Sequence, residues 1–121
     1  MHAYRILPLL LVAAALASCD AGNMYGPGPG MNYAGTNNAP TMYGIAFHPG
    51  TITVSAGAMV TWTNYDSVAH TVTSDSGVAP AFDSGSVGPG STYSLMLTLP
   101  PGTYGYHCNI HVGMTGKIVV Q

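Results

Sequence analysis

Three stretches of this chain alternate apolar and polar residues with a period of two, and that period limits what the chain can become. Thr51-Ile52-Thr53-Val54 does so, as does Met59-Val60-Thr61-Trp62-Thr63-Asn64, with Val60 and Trp62 on one face. In a later run Tyr93, Leu95, Leu97 and Leu99 line one face. A half-buried strand needs this alternation, whereas a helix needs a repeat near 3.6. Charged residues make up only 5% of the chain, too few to cover the polar side of a long helix. Further strands are expected at Ile45 to Phe47, His70 to Ser74, Thr103 to Cys108 and Lys117 to Val120. His48-Pro49-Gly50, Ala56-Gly57 and Pro100-Pro101-Gly102 supply turns, and a Ser/Gly/Pro-rich excursion runs through Pro80. Seven or so short strands with no helix signal predict an all-β domain, a Greek-key β-sandwich spanning residues 41–121.

The segment before that domain has a different character. Arg5 precedes a short apolar run from Ile6 to Leu16, interrupted by Pro8, and small residues Ala17 and Ser18 follow. This is the pattern of an export signal over residues 1–18, too short for a stop-transfer span. Leu16-Ala17-Ser18-Cys19 resembles the bacterial lipobox, which implies lipidation of Cys19 as the first mature residue; the alternative is an ordinary cleaved signal. Residues 19–40 read as a lipidated N-terminus and a flexible tether centred on Gly26-Pro27-Gly28-Pro29-Gly30. A flexible chain of about 20 residues spans some 25 Å on average. Met24, Met31 and Met42 lie along or just after it, either as soft Cu(I) ligands or as mere composition. Cys19 and Cys108 are the two cysteines, and a disulfide between them would tie a signal-adjacent residue to a strand end. No disulfide is expected.

The chemistry concentrates in Cys108-Asn109-Ile110-His111-Val112-Gly113-Met114, together with His70. One thiolate, two imidazoles and one thioether are what a mononuclear blue-copper site uses: a trigonal Cys and two His, with a weak axial Met. Taken singly, each residue has a plainer reading. A buried Cys is usually an inert hydrophobe, Met114 could fill the core, and His70 could be an ordinary loop histidine. Their order and spacing argue for a joint role at one copper per chain. In the strand to Cys108, Tyr104, Tyr106 and Cys108 share a face, so the thiol caps an inward row. Gly113 permits the turn that returns Met114.

On these residues, and on Phe47-His48-Pro49, Val60-Thr61-Trp62-Thr63-Asn64 and Asp66…His70-Thr71-Val72, residues 44–121 resemble the cupredoxins, small type 1 copper proteins including plastocyanin, pseudoazurin and amicyanin. The Cys-x2-His-x2-Met spacing is the short, amicyanin-like form. The resemblance implies a Greek-key sandwich and reversible one-electron transfer, with His111 at the apolar surface where electrons pass. Two departures stand out. Ile110 occupies a position where many relatives carry Pro. Thr71 follows the first His and Asn109 follows the Cys, the reverse of a common arrangement. If these two still bond across their loops, they brace Cys108 and His70 and affect the redox potential. His107 reads as an exposed strand histidine. A second copper would need ligands from elsewhere, with only His48 unassigned in the mature chain, so no enzyme is expected.

Arg5 and Lys117 are the only basic residues, which excludes a nucleic-acid binder. After cleavage before Cys19 the charges are Asp20, Asp66, Asp75, Asp83 and Lys117, too sparse for an acidic docking patch. Redox partners are therefore expected to dock on an apolar surface around His111, Val112, Val68 and Pro80, with weak salt dependence. So few carboxylates are also compatible with an acidic habitat. The expected protein is a monomer held to a membrane through Cys19, on the periplasmic or cell-surface side. The alternative function is copper binding or delivery without electron relay.

Overall fold

Val60, Trp62 and Asn64 are buried while Met59, Thr61 and Thr63 face outward, and this strand anchors one of two packed sheets. The computed structural model describes residues 33–121. The strands are β1 (Thr41–Met42), β2 (Phe47–His48), β3 (Thr51–Val54), β4 (Met59–Asn64), β5 (Thr73–Ser74), β6 (Thr92–Met96), β7 (Gly102–His107) and β8 (Thr115–Val120). One sheet has the order β2-β1-β4-β6 and the other β3-β8-β7-β5. The result is the expected all-β sandwich, with no helix among the described residues.

Between the sheets lie Met42, Ile52, Val60, Trp62, Val72, Leu97, Tyr106 and Ile118, all essentially sealed from solvent. Trp62 meets Tyr106 edge to face with ring centroids 5.7 Å apart, and its Nε1–H donates to the Tyr106 hydroxyl at 3.2 Å. That bond removes the cost of burying two polar tips. Gly116 makes room for the ring: a Cβ there would sit 2.4 Å from the Tyr106 Cζ.

The structure revises several local expectations. The chain enters the sandwich at β1, which runs parallel to β4 and antiparallel to β2; Ile45 lies in the turn between β1 and β2, with a φ of 55°. The expected strand from His70 to Ser74 shrinks to Thr73–Ser74, and His70 makes a single bridge to Val87. The reason is that neighbouring amides are diverted: Thr71 N–H points at the Cys108 sulfur and Val72 N–H at the Ser84 hydroxyl. The ladder of β6 stops at Met96, although Leu97 and Leu99 remain buried.

Of the residues assigned to the tether, 38–40 run beside β4. Thr61 and Thr63 donate to the carbonyls of Asn38 and Pro40, and Asn37 Oδ1 accepts from Thr53 N–H. Met42 is wholly buried, so its thioether is core filling and cannot take part in metal capture. The export signal, Cys19, Met24 and Met31 lie outside the described residues.

Candidate metal centre

Strands β7 and β8 are partners whose last rung joins His107 to Thr115, and the seven residues between them form a closed loop. Cys108 N–H donates to the Met114 carbonyl at 2.9 Å, and Met114 N–H to the His111 carbonyl at 3.3 Å. Gly113 takes a φ of 89°, a left-handed turn that glycine makes without steric cost. The loop therefore brings the ends of the Cys-to-Met segment together before any metal is considered.

His70 arrives from the other sheet's connection. Asn64, the last inward residue of β4, donates from Nδ2 to the carbonyls of Val68 (2.8 Å) and Val87 (3.0 Å). Its Oδ1 accepts from Asp66 N–H at 2.9 Å. A single buried amide thus shapes the loop that presents His70.

Three donor atoms converge. His70 Nδ1 lies 3.1 Å from His111 Nδ1, and Cys108 Sγ lies 3.8 Å from the first and 3.7 Å from the second. A point equidistant from all three corners of that triangle is about 2.1 Å from each, the bond length of a first-row metal ion to nitrogen and slightly under the about 2.3 Å it takes to sulfur. The donor set of two imidazoles and a thiol is the trigonal set copper uses in type 1 sites, so the residues fit the ion. His70 and Cys108 are buried, and His111 is half-buried. Met114 is buried beside this group at the end of the same loop.

Thr71 and Asn109 bind the two ligand loops to each other. Thr71 N–H points at Cys108 Sγ at 3.4 Å, and Asn109 N–H donates to Thr71 Oγ1 at 2.8 Å. Asn109 Nδ2 donates to Thr73 Oγ1 at 3.0 Å. His107 faces outward, with Nδ1 2.6 Å from Asp75 Oδ1 and Nε2 2.9 Å from Asn109 Oδ1. The bond to Asp75 raises the pKa of His107 above its usual 6.5; desolvation opposes this, and the bond to Asn109 adds to the rise.

Sequence reasoning did not assign Asp66 a role. Its Oδ2 lies 2.7 Å from His70 Nε2, and its two oxygens accept from Gly44 and Ile45 N–H. Burial disfavours its charge, but the bonds from Ile45, His70 and Gly44 outweigh that and hold the carboxyl below its usual 3.8. With Nε2 committed to Asp66, the lone pair of His70 Nδ1 faces His111 and Cys108. The i, i+4 spacing of Asp66 and His70 was the available signal.

Val112 is fully exposed, and Ile110 and Val68 are about half exposed.

Comparison with known proteins agrees with this geometry. Residues 34–121 match the model of a family described as copper binding proteins of the plastocyanin/azurin family. Chloroplast plastocyanin of Tetradesmus obliquus is 36% identical over 87 residues, covering 64% of this chain and 59% of the relative, so the chain spans about three-fifths of that protein's length. A Cu(I) form of an amicyanin point mutant superposes with a TM-score of 0.64 at 30% identity, over 75% of this chain and 85% of that one. A copper-containing nitrite reductase from Thermus scotoductus reaches 0.63 at 26% identity, but only 23% of that chain is covered.

Proposed function

This chain belongs to the plastocyanin/azurin family of copper binding proteins, and from that premise we propose that it carries single electrons between redox partners. The observation that carries this reading is the preassembled triangle of His70 Nδ1, His111 Nδ1 and Cys108 Sγ. Copper supplies the Cu(I)/Cu(II) couple when bound. His70, Cys108 and His111 would hold it, with Met114 as a further soft ligand from the same loop.

The protein's own contribution is to keep the ligands still and dry. Asp66 fixes the His70 ring, the Thr71 amide steadies the thiolate, and the Asn109–Thr71 bond locks the loops together. Ligands that need not move impose little reorganisation on electron exchange. His111, being half-buried, connects the interior to the surface. Partners would dock on the apolar residues around it, Val112, Ile110 and Val68; Pro80, expected to join that surface, lies instead against Met96, Leu97 and Leu99, at the end of β6 remote from the His70 loop. Five charges remain in residues 19–121, so docking would depend weakly on salt.

The reading includes no catalytic turnover: His107 is engaged by Asp75 and Asn109 rather than turned toward a second ion. It places the protein as a monomer on the outer side of a cell membrane, exported by residues 1–18 and anchored through lipid on Cys19. Copper delivery is the competing role, and burial of Met42 removes one of the three methionines that favoured it.

The test is the visible and EPR spectrum of the Cu(II)-loaded chain beside Cys108→Ser. An intense thiolate-to-copper band with compressed hyperfine splitting, lost in the variant, is expected. A pale ordinary Cu(II) spectrum would overturn the electron-carrier reading and promote copper delivery.

A further inference from the structure

Met59 and Met96 are direct cross-strand partners on β4 and β6, and both are about half exposed, at 50% and 56%. Of the seven methionines, Met42 and Met114 are buried and Met1, Met24 and Met31 lie outside the described residues. The outward rung therefore displays two thioethers that the core does not use.

Side chains on this face do meet across the strands. The next outward rung pairs Thr61 with Ser94, and their hydroxyl oxygens are 2.8 Å apart. Directly opposed residues hold their Cβ atoms about 4.5–5.5 Å apart. Two metal–sulfur bonds of about 2.3 Å each, set in line, need sulfurs about 4.6 Å apart. Flexible methionine side chains reach that separation from such a rung.

We propose that Met59 and Met96 form a second, surface site for a soft monovalent ion, Cu(I), bound between the two thioether sulfurs. Thioethers are neutral, soft donors that select Cu(I) over harder divalent ions. Binding involves no electron transfer; each sulfur donates a lone pair and the ion keeps its charge. The rung is distinct from the centre already described. Met59 opens β4 and Asn64 closes it beside the His70 loop, a separation of about 17 Å at strand rise. The site does not rest on the electron-carrier reading.

The test uses the full chain, first filled with one equivalent of Cu(I). It is titrated without oxygen with more Cu(I), supplied as its acetonitrile complex, while NMR follows the ε-methyl groups of the methionines. The Met59 and Met96 signals are expected to shift together and saturate at one added equivalent. Met96→Leu should weaken that step at least about 10-fold, and the Met59→Leu/Met96→Leu pair should abolish it. The same titration of Cys108→Ser reads the rung when the first site is disabled. Unmoved Met59 and Met96 methyls, or undiminished extra binding in the double variant, would overturn the proposal.

Discussion

The Asp66 carboxylate, 2.7 Å from His70 Nε2, links a histidine of the donor triangle to a turn more than twenty residues upstream. The same carboxylate accepts Gly44 N–H at 2.7 Å and Ile45 N–H at 2.9 Å. Two successive left-handed residues, Gly44 and Ile45, with φ of 61° and 55°, aim their amides at one anion, as backbone nests do. The turn between β1 and β2 thereby orients the His70 ring through Asp66.

Asp66→Asn should weaken copper binding by about 10- to 100-fold, the usual cost of losing a carboxylate behind a ligating histidine. An amide offers one acceptor oxygen where three donors now converge, so its NH2 must face another donor. The metal-free protein should lose about 1.5–3 kcal/mol, the range for hydrogen bonds to a charged group. Chelator competition and denaturant unfolding measure the two effects separately. Unchanged affinity would show that packing alone holds the ring.

Ile45→Asn should stabilise the fold by about 1 kcal/mol. A β-branched residue in left-handed conformation costs roughly 1–2 kcal/mol, whereas Asn tolerates it. Ile45 is half exposed, so little burial is lost. Ile45→Pro should destabilise instead, because it removes the N–H that Asp66 accepts and fixes φ near −65°. Thermal unfolding of both variants checks the opposite signs.

What was legible in the sequence depended on how local its cause is. Period-two alternation fixed the faces of Met59 to Asn64, because burial there is decided residue by residue. The ligand loop was legible because its donors lie within seven residues of one another. Asp66 was not assigned, since two of its partners are backbone amides 21 and 22 residues away, and amides carry no side-chain signature. β1 is two residues long and paired in parallel with β4, too short for any period to register. The truncated strand after His70 followed from amides captured by Cys108 and Ser84, a tertiary event with no local pattern.

Tyr106 should make the fold sensitive to alkali. Burial pushes its phenol up to about 12 from 10, partly offset by the bond from Trp62. The folded pKa is raised, so the contribution is complete below pH 10 and is lost as pH rises toward 12, where the unfolded chain ionises first. The loss is on the order of 2–3 kcal/mol, at about 1.4 kcal/mol per pH unit. Tyr106→Phe should flatten that slope while lowering stability at neutral pH, since Trp62 Nε1–H loses its acceptor. Denaturant midpoints at several pH values between 9 and 12 test this; equal slopes in both proteins would place the alkaline transition elsewhere.

Val112→Asp should separate docking from folding. Val112 is fully exposed, so replacing it should change stability by no more than about 0.5 kcal/mol. Two copies exchanging electrons through the surface beside His111 would then bring like charges face to face. Such juxtaposition costs several kcal/mol when close, and 1.4 kcal/mol is already about a tenfold change. Self-exchange, read from NMR line broadening in mixtures of oxidised and reduced protein, should therefore slow at least about tenfold at low salt. Added salt should restore much of the rate, because exposed charges are screened within about 10 Å at 0.1 M. The unaltered chain should respond little to salt. A variant that exchanges at the original rate would show that electrons leave by another face.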